Sequence, residues 1–408
     1  MKDFFKVAAP VEVLAVIEQF EPLSSEIVPT TDALGRVLAE EVLSPVDLPD
    51  FERATMDGFA VRASDTTGAS ESSAIQFDFV GEVRMGEVPG FGIDRGQAAK
   101  IPTGGMLPKG ADAVVMDEYS SFADARTVQI ARGAAPWESV VRIGQDIRRG
   151  EKILSAGDVL RPQELGALCG LGITSVPARR KPRVAILATG DEVVDPAETP
   201  KPGQIRDINR FTLSALTAAA GGVPVSLGII GDDPAALEAA VRGAHRDHDV
   251  VLMSGGSSMG QRDHSVEIID SLGEPGVLIH GVSIKPGKPL IMGRVGPKAV
   301  IGVPGHPVSN MMVFQVFLKP LLHRLQGRRP DAEAIWAEAA LSRNLPSASG
   351  REDYIRVRLD RTEDGLLAHP VLGSSSMIST MVKADGFIIV GVDSEGLVQG
   401  ERVRVHSF

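Results

Sequence analysis

The sequence predicts a multidomain α/β plus β chain: a doubly wound α/β domain, an inserted mostly-β domain, a C-terminal β barrel and a small discontinuous N-terminal domain. Three observations predict it. From Arg183 to about Gly327, apolar strand-like runs alternate with helical ones, as in a parallel sheet with helices on both faces. From Leu48 to about Arg142, short alternating runs are separated by Gly, Pro and Asp. Beyond Pro330 the periodicity settles at two, giving a β barrel or sandwich. The expected boundaries are 1–47 with 143–179 for the discontinuous domain, 48–142 for the insert, 180–327 for the α/β domain and 328–408 for the barrel.

The first segment, AAPVEVLAVIEQF, sets Val13, Leu14, Ile17 and Phe20 on one helical face, and TTDALGRVLAEEVLSP reads as a short helix running into a strand. The insert follows with FAVRA, IQFDFV, AAKI, AVVM, TVQI and VVRI as its strands. GQDIRRGEKILSAGDVLRPQELGALCGLGI then gives a hairpin and a helix with Pro162 in its first turn and Gly172 near its end. ARRKPR is the expected linker into RVAILA, the first strand of the α/β domain. Within that domain Gly221 closes one helix, and Asp233 followed by Pro234 caps the next. In the last domain YIRVRLD, GLLAHPV, GFIIVGV and ERVRVHS read as strands.

Composition excludes several classes of function. Acidic residues outnumber basic ones, 53 to 42, and aromatic residues are 4% of the 408, so neither a phosphate-backbone footprint nor a base-stacking platform is available, and no nucleic-acid partner is expected. The single cysteine, Cys169, forms no intrachain disulfide and reads as a small packed hydrophobe, consistent with a cytoplasmic protein. Two long uncharged stretches, 211–231 and 299–318, are broken by Gly and Pro and fail as membrane spans; Asp3, Lys6 and Glu12 interrupt any signal core.

Residues that follow parallel strands emerge on one edge of the sheet, where ligands bind. That rule gathers TGDE (Thr189, Gly190, Asp191, Glu192), GDD (Gly231, Asp232, Asp233), SGGSSMGQRD (Ser254 to Asp263) and PGHP (Pro304 to Pro307). In SGGSSMG, residues Ser254, Gly255, Gly256, Ser258 and Gly260 combine free backbone amides with hydroxyls, which suits a phosphate. Asp191, Glu192, Asp232, Asp233 and Asp263 would repel one another unless a cation is shared, and Mg2+ bridging carboxylates and substrate phosphates resolves this. Asp233 is more economically a helix cap. Lys285 and Lys288 beside a Pro-Gly turn point to an anion, while Asp57 and Thr103 in the insert sit at turns. The residues alone therefore describe a magnesium-dependent site for a phosphorylated, anionic small molecule.

FERATMDGFAV, KIPTGGMLPKGADAVVMDE, GQDIRRGEKILSAG, LATGDEVV, GQIRDINRFTLSA, SGGSSMGQRD, KPGKPL and VPGHPVSN occur in that order. As a set they resemble the MoeA type of molybdopterin molybdenumtransferase, related to the C-terminal domain of gephyrin, along nearly the whole chain. The resemblance implies a MogA-like α/β domain and an enzyme that inserts molybdate into adenylylated molybdopterin, with Mg2+-dependent release of AMP. It implies an elongated homodimer whose active site is shared, so that Asp57 and Thr103 of one subunit complete a site holding Glu192, Asp232 and Asp263 of the other. Glu192, Asp232 and Asp263 then handle metal and phosphate, Pro304 and Pro307 position the pterin or its loop, and Lys285, Lys288, Arg356 and Ser375 or Ser376 form the oxyanion side. A molybdopterin adenylyltransferase is the implied partner. Two other readings are molybdopterin adenylylation by a MogA-type domain, and a gephyrin-like scaffold without catalysis. The sequence departs from the family pattern at His306, where Asn is usual between Gly and Pro, at Ser257 and Met259, and at His264.

Overall fold

The computed structural model describes residues 7–255, 259–329 and 335–408; the side chains of 259–263 and 335 lie outside the description. By contacts the chain forms two compact units. One is 1–40, 156–161 and 176–408, and the other is 41–155 and 162–175.

The larger unit contains a six-stranded sheet of β1 (Arg183–Thr189), β2 (Val223–Ile230), β3 (Val250–Ser254), β4 (Pro275–His280), β5 (Ile291–Val295) and β6 (Lys298–Val303), in the order β2-β1-β3-β6-β5-β4. The first four strands in that order are parallel. β5 is antiparallel to both its neighbours, a departure from the all-parallel sheet expected, because β5 and β6 are joined by the tight turn at Gly296 (φ +57°) with no helix between them. Crossover helices α1 (Asn209–Ala219), α2 (Pro234–Asp247) and α3 (Met259–Leu272) alternate with the strands, and α4 (Pro307–Val313) follows β6. Strand residues alternate between two cores: Val184, Ile186, Val250 and Leu252 pack with Leu213 of α1, Val308 and Met312 of α4 and Ile17 of the opening helix, while Ala185, Leu187, Val251 and Met253 pack with Val241 of α2 and Ile269 of α3. Helices on both faces make the sheet doubly wound.

The caps follow the sequence. Asp233 Oδ1 accepts the Ala235 N–H at 3.0 Å with Pro234 in the first turn of α2, and Gly221 (φ +84°) closes α1. α4 continues through a π-helical turn, Phe314–Leu318, into Lys319–Leu325. That widening comes just before Pro320, which has no N–H for a regular helical bond.

The opening helix, Pro10–Ile17, buries Val13, Ile17 and the following Phe20, but Leu14 is exposed. The helix expected after Thr30 is only the single 3-10 turn Thr30–Asp32. Left-handed Gly35 (φ +72°) ends it, and Val37 and Leu38, both buried, instead bridge to Val159 and Ala178 as extended chain.

The C-terminal strands β7 (Ile335–Leu341), β8 (Glu352–Thr362), β9 (Gly365–Pro370), β10 (Gly386–Val390) and β11 (Arg402–Ser407) pair β8-β9-β7-β11-β10, and β10 returns to β8. The ring is therefore a closed five-stranded barrel, filled by Ala339, Leu341, Val357, Ala368, Ile388, Val403 and Val405. The segment Ile284–Lys285 of the α/β domain adds a short parallel strand alongside Glu352 and Asp353 of β8.

In the smaller unit a six-stranded sheet runs in the order Ala113–Met116, Gly58–Val61, Gln97–Ile101, Ile75–Glu82, Thr127–Ile130, Ser120–Phe122. Where the chain enters and leaves this sheet, Val42–Leu43 pairs with Lys152–Leu154 and Arg53–Ala54 with Val140–Val141, so the ends of the insertion are zipped together. In the helix Pro162–Gly170 the buried side chains are Glu164 and Leu168, and Cys169 is exposed where a packed hydrophobe was expected.

Leu187 is fully buried between the sheet and α2. Leu187→Ala is expected to destabilise the α/β domain by about 2–5 kcal/mol in chemical denaturation; a loss below about 1 kcal/mol would mean that this face can collapse around the deletion.

Candidate active site

The order of the parallel strands reverses at β1, whose neighbours β2 and β3 lie on opposite sides, and the crevice beyond such a reversal is the usual ligand site of an open α/β sheet. A small cleft of about 80 Å³ lies there, lined by Thr189 at the end of β1 and Glu192 beyond it, Asp207 and Asn209 before and in α1, Ser254 at the end of β3 and Gly255 beyond it, and Gly305 and Pro307 after β6. Backbone constraints shape it. Gly255 has φ +128°, and a Cβ there would lie 2.3 Å from the Thr189 carbonyl oxygen, so the two strand ends close on each other only because Gly255 has no side chain. A Cβ on Gly190 (φ +131°) would meet the Glu192 carboxylate at 2.6 Å, which shows that carboxylate folded back over the loop.

A buried polar node sits beneath the cleft. Asn209 donates from Nδ2 to Ser254 Oγ at 2.8 Å and to the Gly305 carbonyl at 2.7 Å. Asn310, fully buried in α4, donates to Ser254 Oγ at 3.3 Å and to the Pro304 carbonyl at 3.2 Å. The Oδ1 atoms of both asparagines are buried without a partner. Nearby, the Asp207 carboxylate, also buried, accepts both the backbone N–H and Nε of Arg210, fixing the start of α1. Asp232 donates its N–H to Asp191 Oδ1 at 3.0 Å, so the loops after β1 and β2 meet, leaving the exposed Glu192 and Asp232 carboxylates on the rim. Among the described residues, no three His, Cys, Asp or Glu side chains are grouped to hold a metal ion.

The Pro304–Pro307 loop also borders a cleft of about 940 Å³ between the α/β domain and the barrel. Lys285, Lys288, Arg351 and Arg356 line it, together with Pro304, His306 and Ser375. Arg356 is 6% exposed; its Nη2 donates to the Gly373 carbonyl at 3.2 Å, and its Nε is buried with no partner. Burial pushes the Arg356 guanidinium below arginine's ordinary range. Asp353 is buried and accepts from Ser347 Oγ (2.9 Å) and Arg351 Nε (3.0 Å), with Lys285 Nζ at 3.7 Å. Burial and the bond from Tyr354 Oη to Glu352 (2.6 Å) push the Tyr354 phenol up, so it remains a donor.

In the smaller unit, Thr103 donates its N–H to Asp57 Oδ1 at 2.6 Å. That bond, reinforced by the Thr103 hydroxyl and by Lys100, holds the exposed Asp57 carboxyl below the usual carboxylate range.

Three family models match in succession: the MoeA N-terminal region (domain I and II) over residues 8–172, a probable molybdopterin binding domain over 185–324, and the MoeA C-terminal region (domain IV) over 338–408. A molybdopterin molybdenumtransferase of Haemophilus influenzae is 32% identical over 389 residues, 95% of each chain. The chain belongs to the MoeA family. Another MoeA relative, a molybdopterin molybdenumtransferase of Bacillus subtilis, is 32% identical over 93% of this chain and 89% of its own. The crystal structure of a molybdopterin biosynthesis MoeA protein from Pyrococcus horikoshii superposes with a TM-score of 0.84 at 37% identity, covering 98% of this chain and 99% of that one.

Within this MoeA fold the residues singled out from sequence fall into separate groups. Thr189, Glu192, Ser254, Gly255 and Pro307 line the small cleft; Lys285, Lys288, Pro304, Arg356 and Ser375 line the large one. Gly190 and Asp232 stand on the adjoining loops. Asp57 and Thr103 form one turn in the other unit. Gly256, Ser257 and Ser258 lie outside the described residues; Gly260 and Asp263 belong to α3, and the Asp263 side chain is outside the description. No role followed from sequence for Asn209, Asp207, Arg210 or Asn310, although all four lie in the quoted stretches GQIRDINRFTLSA and VPGHPVSN. Asparagine at the start of two helices after strand-end loops was the available signal.

Gly255→Ala is expected to cost about 1–3 kcal/mol or more through forced backbone movement, seen as a lowered unfolding midpoint; an unchanged midpoint would contradict the close approach to Thr189. In a carboxyl-detected NMR titration, Asp57 is expected to stay ionised to lower pH than an ordinary aspartate. Because its folded value is depressed, the turn's contribution is present at neutral pH and fades only as pH falls through that value. Thr103→Ala, which keeps the amide and loses the hydroxyl, should raise it part of the way.

Proposed function

We infer that this chain is a molybdopterin molybdenumtransferase, acting in molybdenum cofactor biosynthesis by inserting molybdenum into molybdopterin. The observation that carries the reading is a large cleft lined by Lys285, Lys288 and the buried Arg356 guanidinium, whose Nε lacks a partner. A buried cation with an idle donor calls for an anion. Molybdate is a tetrahedral dianion, and Lys285, Lys288 and Arg356 supply fixed charge to attract it, with the Ser375 hydroxyl as a neutral donor.

The finer proposal is that molybdopterin arrives adenylylated and leaves as molybdenum cofactor with release of AMP. The strand-end cleft of Thr189, Gly190, Ser254 and Gly255 then takes the nucleotide and phosphate portion, together with Gly256, Ser258 and Gly260. Gly305 lines both clefts, so the Pro304–Pro307 loop sets the distance between phosphate and oxyanion. Glu192 and Asp232 are exposed carboxylates at this rim, and such a donor set suits Mg2+, which commonly enters with substrate phosphates and takes one or two protein carboxylates. Together with Asp263 they would hold it, and bound there it would neutralise charge developing on the leaving phosphate. Asp57 and Thr103 are proposed to complete the site from the second subunit of a homodimer, with 1–47 and 143–179 as the dimerising part, 48–142 reaching the partner, and 180–327 and 328–408 forming the two clefts. Handover from a molybdopterin adenylyltransferase in the cytoplasm completes the proposal. Among the described residues, no helix is long and apolar enough to cross a membrane.

The test is AMP formation from adenylylated molybdopterin with and without molybdate and Mg2+. Glu192→Ala and Asp232→Ala are expected to lower molybdate-dependent release by about 100-fold or more. Lys288→Ala should instead raise the molybdate concentration needed for half-maximal rate by about tenfold, the equivalent of about 1.4 kcal/mol. Pyrophosphate release from ATP and unadenylylated molybdopterin would replace this reading with adenylylation.

A further inference from the structure

One side chain of the loop between the clefts has no part in the chemistry above. His306 is the N-cap residue of α4 in extended backbone conformation, yet its side chain makes no cap bond. It turns to Ser375, with Nδ1 2.8 Å from Oγ. Both residues line the large cleft with Lys285, Lys288 and Arg356. The Ser375 backbone is already pinned, since its carbonyl accepts the Val308 N–H at 3.0 Å. Its neighbours Ser374 and Ser376 pair hydroxyl to hydroxyl at 3.0 Å. What stays adjustable at Ser375 is the direction of its O–H, and His306 faces that rotor.

A serine hydroxyl has one proton and two lone pairs. With Nδ1 unprotonated, the Ser375 proton is committed to the imidazole, and the cleft meets lone pairs that repel an oxyanion. With Nδ1 protonated, in the neutral Nδ1–H tautomer or in the imidazolium, the bond reverses: imidazole donates to Oγ, and the serine proton is free to donate to an anion; of the two forms, the imidazolium is the one that a nearby anion's charge favours. The charged groups that line the same cleft as His306 are Lys285 and Lys288 from the loop after β4, Arg351 and Arg356 from the barrel, and Asp353, which is already bonded to Arg351 and Ser347; His306 itself stands at the N-terminus of α4. A dianion bound among these groups favours an imidazolium. His306 is exposed, so water delivers the proton.

We propose that His306 is a positioning residue that turns the Ser375 hydroxyl toward the oxyanion, and that binding the oxyanion draws a proton onto His306. The proposal rests on the reading of the large cleft as the oxyanion site. By linkage, anion affinity rises as pH falls through the imidazole range and declines above it.

Molybdate alone is titrated into the full chain by calorimetry at about pH 6, 7 and 8, in buffers of different ionisation enthalpy. The wild type is expected to take up a proton on binding, with affinity weakening by up to about tenfold per pH unit above the imidazole range. His306→Asn offers Ser375 an amide donor that does not titrate. It should bind molybdate with no uptake and no pH dependence, which also corrects for protonation of molybdate itself. Ser375→Ala keeps the imidazole but severs the relay, and should bind more weakly with uptake lost. Wild-type binding without uptake, His306→Asn following the wild-type pH profile, or Ser375→Ala retaining full uptake would each overturn the proposal while leaving the cleft reading intact. Absence of molybdate binding, or binding unaffected by Lys285→Ala and Lys288→Ala, would overturn the cleft reading and this inference with it.

Discussion

The hydroxyl of Ser254 is the knot on which the site depends. Two asparagines from different helices donate to it, and each uses its other amide proton on a carbonyl of the loop after β6. In a buried setting such bonds cannot be exchanged for water at low cost, so the end of β3, the start of α1 and the Pro304–Pro307 loop are held as one piece. Both clefts take part of their wall from that piece. A change at Asn209, which lines the small cleft, or at Asn310, which enters neither cleft, therefore removes one of the two donors to Ser254 and leaves a carbonyl of the loop between the clefts without that partner.

The electrostatic layout follows from the same knot. Acidic groups lie on the loops after β1 and β2, basic groups on the segment before β5 and on the barrel, and the loop after β6 stands between them. Opposite charges are kept from cancelling because they are attached to different strand ends. Asp353 is the exception within the basic cleft, and its burial against Arg351 and Ser347 keeps it directed at the protein's own donors.

Much of this was legible in the sequence because it depends on local rules. The alternation of RVAILA, DVVLMS and AVIGV with helices gave the doubly wound sheet, and Asp233-Pro234 and Gly221 marked helix ends by chemistry that acts within one turn. What escaped detection was set by tertiary context. An apolar Leu14 on a helical stripe does not reveal how wide a stripe the neighbours cover. The reversed direction of β5 is fixed by a short turn, while the apolar pattern of the strand is the same in either direction. β7, the strand IWAEAAL, carries no β-branched residue beyond Ile335, and it closes the barrel because β9 and β11 need a partner on each side. Lys285 and Lys288 stand out in sequence beside a Pro-Gly turn, and both line the large cleft, whereas Asn209 and Asn310 do not stand out, because their importance comes from converging on one hydroxyl from positions 101 residues apart.

Ile284 and Lys285 belong to the α/β domain by covalent bond and to the barrel by their pairing with Glu352 and Asp353 of β8. The lysine's backbone is thus registered against a ring that has no free edge from which to slip. Divergence of the C-terminal domain is consequently restricted by main-chain register as well as by side-chain chemistry. Exchanging this barrel for that of a distant family member would re-aim an ammonium group that the exchanged segment does not encode, making the last domain a determinant of how the large cleft is lined and not an appendage to it.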